Sequence, residues 1–497
     1  MSTEKASKHK TRSKLIASCL LLVFGVLETA ATPLPSTLSL NGITSSTLFQ
    51  SASDSSLAAV RQSDRGIRNA SGKLSRLPAS EHLRRANVYM TNRAFAEARE
   101  HWEALLSYYP ADLGIPSALF GIGRSYFQER RYEEALSVLS RVHKSYPQTK
   151  DGREGLNFSA AAALRMGQPA EAAERYRQYV DQYPEGERAD SAHLNLIDTL
   201  REAGRLKEAA QWVTRTRARF ANTPTEINAQ FAQLRLDVAE GNWKHAIATA
   251  DELNNKRFQK GVLTSVSEVM YLKAYSLQQA GRKEEAVTSY LSIPDGVDSY
   301  YGWLATERLQ ILADGKRRML VNQRAERVGS QIALVASSYP APYREAILRT
   351  AKARKLDPRF ILAIIKQESV FKPQAKSPAG ARGLLQLTVD AARRYAASAG
   401  INSLNENQLY RPETSIVVGG EYLAELFRMF PNQLEAVAAS YNGGEDNVAR
   451  WVKRAKQNDP GVFTAEIGFD ETKAYAQKVM ANYRAYRQLY TADLNRR

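Results

Sequence analysis

The clearest regularity in the chain is a phased alternation of apolar and polar positions between residues 80 and 295. One small alanine marks the phase. Asn92-Arg93-Ala94-Phe95-Ala96-Glu97-Ala98 recurs as Arg130-Arg131-Tyr132-Glu133-Glu134-Ala135 and as Gly167-Gln168-Pro169-Ala170-Glu171-Ala172. It returns at Gly204 to Ala209, Gly241 to Ala246 and Gly281 to Ala286. Successive alanines lie 37, 37, 37, 37 and 40 residues apart, and Tyr109-Pro110, Tyr146-Pro147 and Tyr183-Pro184 keep the 37-residue step. Each unit predicts a helix pair. A Gly-containing turn opens the second helix, the alanine lets the two helices approach, and proline stops the unit. Such pairs stack into a curved solenoid with an extended inner surface.

Beyond Pro340 and Pro342 the pattern changes. Asp357-Pro358 predicts a helix start, with Asp as N-cap and Pro at the first helical position. The apolar stripe then reads Ile361, Ile364, Ile365, and its next position is Glu368. Phe371 continues the stripe and Pro373 is expected to end the helix. A carboxylate thus falls on the face meant for the core. Burial disfavours its charged form and raises its pKa, so it can hold a proton near neutrality as a general acid must. The bland alternative is a carboxylate at a helix end, paired with a lysine or capping a neighbour.

Composition narrows the chemistry. The 497 residues carry a formal charge of +17, one cysteine (Cys19) and six histidines, none beyond His245. No intramolecular disulfide and no multi-cysteine metal site can form. A Ser/His/Asp or Cys/His system and a His-ligated zinc are excluded from the second half of the sequence. Acid–base chemistry there must use carboxylates, Tyr, Lys or Ser. His245 reads as packed or solvated, and Trp102, Trp212 and Trp243 read as core.

The N-terminus predicts export. Lys5, Lys8, Lys10, Arg12 and Lys14 precede a short apolar run from Leu15 to Leu27, and Thr29 and Ala31 suit cleavage after Ala31. So short a run is a signal h-region more readily than a membrane span. Membrane attachment is expected only if this segment stays uncleaved or Cys19, in a lipobox-like Ile16-Ala17-Ser18-Cys19, is lipidated. Residues 32–79 are rich in Ser and Thr and are expected to form a flexible linker. Most of the positive charge lies beyond residue 31 and favours an anionic partner. Export makes nucleic acid the least suitable one.

Four fragments of the C-terminal half, in this order, carry a resemblance: Glu368-Ser369, the loop Ser377-Pro378-Ala379-Gly380-Ala381-Arg382-Gly383-Leu384-Leu385-Gln386, the turn Ser440-Tyr441-Asn442-Gly443-Gly444, and Glu471-Thr472-Lys473-Ala474-Tyr475. They resemble the soluble lytic murein transglycosylases, with their E-S pair, S-P-x-G-A-x-G-L-M-Q loop, A-Y-N-A-G turn and E-T-R-x-Y helix. Leu385, Ser440 and Gly443 replace Met, Ala and Ala. Lys473 replaces an arginine and lacks its planar fork. The repeats resemble tetratricopeptide repeats, and Tyr300 to Ala305 resembles the family's linker domain.

The resemblance implies an all-α protein: a helical-repeat superhelix followed by a mainly helical, goose-lysozyme-like catalytic domain. The expected division is a signal peptide (1–31), linker (32–79), repeats (80–295), linker helical domain (296–339) and catalytic domain (340–497). It also implies cleavage of the β-1,4 bond between N-acetylmuramic acid and N-acetylglucosamine in peptidoglycan, in the periplasm, closing a 1,6-anhydro ring. Glu368 takes the catalytic role, as acid and then base. Tyr441 would orient the N-acetyl group, Ser377 and Gln386 would hydrogen-bond sugar or peptide, and Asn442 and Glu471 would border the substrate. No metal or cofactor is implied. Glycan strands are the expected partner, with cell-wall synthesis proteins as candidates for the repeat surface. The alternatives are a lysozyme-type muramidase that hydrolyses the bond, or a repeat scaffold with an inactive C-terminal domain.

Overall fold

The computed structural model describes residues 45–377 and 379–497. The expected signal peptide, Cys19, the first part of the expected linker and Pro378 lie outside the described residues. Every regular element among the described residues is a helix, accompanied only by isolated bridges, so the fold is all-α. None of these helices is long and apolar enough to cross a membrane.

Helix α1 (Ser45–Gly66) precedes six helix pairs. They are α2 (Ala79–Thr91) with α3 (Phe95–Tyr108), α4 (Ile115–Gln128) with α5 (Tyr132–Ser145), and α6 (Lys150–Arg165) with α7 (Pro169–Gln182). Then come α8 (Ala189–Glu202) with α9 (Leu206–Arg219), α10 (Pro224–Glu240) with α11 (Trp243–Asn254), and α12 (Val266–Gln279) with α13 (Lys283–Ser292). The phase-marking alanines, from Ala98 to Ala286, are all fully buried at the crossings. Each turn inside a pair hinges on one left-handed residue: Arg93, Arg130, Gly167, Gly204, Gly241 and Gly281, with φ between 62° and 76°. The next backbone N–H reaches five residues back, as from Gln168 to Ala163 O at 3.0 Å, which closes a Schellman-type cap. Glycine adopts this conformation freely, whereas arginine does so at a cost of about 1–2 kcal/mol.

The expectation of a flexible linker over residues 32–79 needs correction for its described part. Leu57, Val60 and Asp64 lie on one face of α1 and pack on the first repeat. Asp64 is buried, accepts from Tyr89 at 2.5 Å and pairs with Arg85 and His101. A Ser/Thr-rich composition hid three positions at i, i+3 and i+7, which suffice when a partner surface and a buried counter-ion wait for them.

After the array, α14 (Tyr300–Leu312) and α15 (Gly315–Leu334) lead into the C-terminal region. That region comprises α16 (Arg344–Arg354), α17 (Pro358–Ser369), α18 (Val389–Ala396), α19 (Pro412–Met429), α20 (Leu434–Gly443), α21 (Glu445–Ala455), α22 (Pro460–Ala465) and α23 (Asp470–Leu489). One continuous apolar core runs from Ile227 through α14 and α15 to Leu494, so the last two repeats and the C-terminal helices are packed as one body.

The edge of the array that carries the turns is seamed to α21–α23. Glu466 is 1% exposed and holds Arg201 at 2.5 Å, Arg235 at 3.0 Å and Arg454 at 2.8 Å. Glu202 holds Arg450 at 2.9 Å and Arg454 at 3.1 Å. Burial alone would raise the Glu466 pKa, but the three guanidinium groups pull it down to about 2. Lys473, the departure from the family motif, belongs to this seam. Its Nζ binds Glu268 Oε1 and the Leu263 carbonyl, each at 3.1 Å, and lies over the Phe231 ring.

Candidate active site

Helix α17 starts as the sequence predicts: the Asp357 side chain accepts from the Arg359 N–H at 2.9 Å, with Pro358 at the first position. It ends earlier than predicted. Val370 and Phe371 are left-handed, with φ of 49° and 61°, so the helix stops at Ser369 and not at Pro373. The turn is anchored by Ser369, whose Oγ donates to the Leu384 carbonyl at 2.8 Å. That bond fastens the end of α17 to the glycine-rich loop.

Glu368 sits at this anchored end, half-buried, with part of its surface open to solvent. Its Oε1 accepts a 2.7 Å hydrogen bond from the Tyr475 hydroxyl on α23. Its pKa is pushed up to about 7, chiefly by burial. The Tyr475 hydrogen bond works in the opposite direction, and the Glu471 charge adds to the rise. Glu435 is also pushed up to about 7, again by burial. It is enclosed under the Tyr300 hydroxyl at 3.2 Å and is only 8% exposed. Accessibility, not proton affinity, separates the two.

The loop beside Glu368 is held by its own polar groups. The Gly383 N–H donates to Ala375 O at 2.9 Å, and the Ala381 N–H to Ser377 Oγ at 3.1 Å. Gln386, itself left-handed at φ 45°, donates its amide to Ala375 O at 3.0 Å and to Gly383 O at 2.9 Å. At Gly383, φ is 77° and an added Cβ would stand 2.0 Å from the Leu409 carbonyl oxygen, so no other residue fits. The Tyr441 hydroxyl, buried, donates to Leu385 O at 2.7 Å. The Thr472 hydroxyl donates to Asn442 Oδ1 at 2.6 Å. Glycine at 443 fits here too, since a Cβ would lie 2.7 Å from Thr472 Cγ2.

The fold thus connects the expected site residues by short links. Glu368 meets Glu471 electrostatically. Ser377 and Gln386 shape the loop that Ser369 ties to α17. Tyr441 and Asn442 close the last turn of α20 against that loop and against α23. Tyr475, quoted as part of a motif, is the direct partner that sequence reasoning left without a role. Its signal was its position one helical turn beyond Glu471, which puts both on one face of α23.

Residues 345–463 match the family described as Transglycosylase SLT domain, and residues 83–148 and 159–224 match the Tetratricopeptide repeat family. The C-terminal part of the chain is similar to an SLT domain. The chain is 32% identical over 157 residues to the soluble lytic murein transglycosylase of Escherichia coli K12, covering 31% of this chain and 24% of that protein. It is 33% identical over 150 residues to the Salmonella typhimurium protein of the same name, covering 30% and 23%. The match spans about a quarter of the length of these relatives. Among solved structures, an inactive mutant of lytic transglycosylase Slt from Pseudomonas aeruginosa aligns at 20% identity with a TM-score of 0.48, covering 83% of this chain and 73% of that one. The 70 kDa soluble lytic transglycosylase of Escherichia coli aligns at 15% identity with a TM-score of 0.40, covering 91% and 98%.

Proposed function

We propose that this chain, exported to the periplasm, cleaves the β-1,4 bond between N-acetylmuramic acid and N-acetylglucosamine in peptidoglycan, as a lytic transglycosylase. The observation that carries the reading is a solvent-reachable carboxyl, Glu368, whose pKa lies near 7 within an SLT domain. Protonated, Glu368 gives its hydrogen to the glycosidic oxygen as the bond to C1 breaks. The substrate's own N-acetyl oxygen traps the developing cation, so no second carboxylate nucleophile is required. Glu368, now ionised, takes the proton from the C6 hydroxyl of the same sugar. That oxygen attacks C1, the N-acetyl group is released, and the 1,6-anhydro ring closes. One side chain serves both halves because its pKa lies between those of a strong acid and a strong base. Tyr475 holds one carboxyl oxygen, which leaves the other for the substrate. Gln386 has both amide donor contacts committed to the loop, so Oε1 is its remaining hydrogen-bonding atom for sugar or peptide.

Mass spectrometry of sacculi digested with the purified protein tests this. Anhydro-muramic ends, lost in Glu368→Gln, are expected. Reducing muramic ends would assign hydrolysis of the lysozyme type instead, and unchanged digestion by Glu368→Gln would remove Glu368 from the reaction.

A further inference from the structure

Arg165, the last residue of α6, is a cation at the junction of the array and the C-terminal region that lacks an anion among the described residues. Its guanidinium lies over the Phe127 ring of the array at 5.9 Å and the Phe469 ring of the C-terminal region at 5.7 Å. Its side chain makes no hydrogen bond or ion pair among the described residues, whereas its cationic neighbours are engaged. Arg130 takes Asp446 at 3.0 Å and Glu445 at 3.4 Å, and Arg450 takes Glu202 at 2.9 Å. Burial first, and then the neighbouring Arg450 and Arg130, disfavour the charge of Arg165, against the attraction of Tyr132 and Asp446. Two aromatic faces orient a guanidinium but leave its N–H edge unfilled. That edge is complementary to a carboxylate, which it can bind through two parallel hydrogen bonds.

The location narrows the ligand. Phe469 is the N-cap of α23 and stands two residues before Glu471, whose charge acts on Glu368. Arg165 is thus on the array side of the residues that border the reacting sugar. A lactyl carboxylate, tethered to the ring by a few bonds, stays with the sugar. A peptide substituent extends away from it.

We propose that Arg165 binds a carboxylate of the peptide substituent carried by the glycan strand, so that the repeat array contributes a substrate contact to the SLT domain. This rests on the transglycosylase reading. The test compares peptide-bearing strands with strands stripped by an amidase, which keep only the lactyl carboxylate. Arg165→Met keeps an apolar stem between the two rings and removes the charge, and Arg165→Lys restores the charge. Arg165→Met is expected to raise KM for peptide-bearing strands about tenfold or more, the scale of a charge-assisted hydrogen bond. Its kcat, its KM for stripped strands and its unfolding temperature should stay near wild type, and Arg165→Lys should recover most of the loss. Equal loss on both substrates, loss on stripped strands alone, or no loss would overturn the proposal. Failure of the underlying reading shows separately, as wild-type digestion that survives Glu368→Gln.

Discussion

The Tyr475 hydroxyl donates a 2.7 Å hydrogen bond to Glu368 Oε1 across 107 positions of sequence, joining α23 to the end of α17. The bond favours the carboxylate form and so opposes the effect of burial. Removing it in Tyr475→Phe is expected to raise the Glu368 pKa further. The basic limb of the pH profile of kcat/KM should therefore move to higher pH than in wild type. A downward move, or none, would show that Tyr475 does not set the acid.

On the function proposed above, Glu368 links activity and stability in opposite senses. Its folded pKa of about 7 lies above the ordinary 4.5. The folded state holds the proton more tightly, so the group's favourable contribution is complete below pH 4.5 and is lost as pH rises through 7. At pH 8 a charged, half-buried carboxylate destabilises the fold. Glu368→Gln is expected to cut kcat by about 100-fold or more, the usual share of general acid–base catalysis. The same change should raise stability at pH 8 by on the order of 1–3 kcal/mol, with little gain at pH 4. Activity assays and thermal melts at the two pH values check both parts.

The seam makes a separate prediction. Glu466 holds three arginines away from water, and its pKa is drawn down to about 2 from 4.5. Its contribution is present above pH 4.5 and is lost as pH falls through 2. Glu466→Ala removes one of the two carboxylates shared by Arg201, Arg235 and Arg454 and leaves them Asp198, at 3.3, 3.1 and 3.4 Å, so the cost should approach but not exceed the roughly 3–5 kcal/mol of breaking a buried pair outright. The loss should appear in denaturant melts at pH 7 and shrink at the acid end of the range.

How much of this was legible in sequence depends on range. The six helix pairs follow from a local period, and the α17 start follows from Asp357-Pro358, because a cap and a turn act within four residues. The polar position on the α17 stripe was readable for the same reason. Tyr475, Ser369 and the seam were not readable as partners. Each requires knowing which helices meet, and Glu466 lies 265 positions from Arg201. The end of α17 was misplaced because a tertiary bond from Ser369 to Leu384 stops the helix before Pro373 does. Helix α1 was missed because composition averages over a segment, while packing needs only one face of it.

That missed helix is fastened by a chain of buried hydrogen bonds whose direction can be deduced. The Leu77 N–H donates to His82 Nε2 at 3.3 Å, so the His82 proton is on Nδ1. Nδ1 is 3.0 Å from His101 Nδ1, which must accept, and His101 Nε2–H then donates to Asp64 Oδ2 at 3.0 Å. Both rings are thereby kept neutral. Protonating His82 at Nε2 would set two N–H groups against each other in a site with no exposed surface. Burial first, then the charge His101 would carry if protonated and the charge of Arg85, bring the His82 pKa down to about 4 from 6.5, against the smaller pull of Asp64 and Glu81. The unfolded chain takes up this proton first as pH falls. The stability that neutral His82 confers is complete above pH 6.5 and is lost progressively toward pH 4, on the order of 2–3 kcal/mol. Hydrogen exchange of α1 and α2 should accelerate over this interval in wild type. In His82→Gln, which cannot take up a proton, that acceleration should be reduced; a profile identical to wild type would mean that another group governs the attachment of α1.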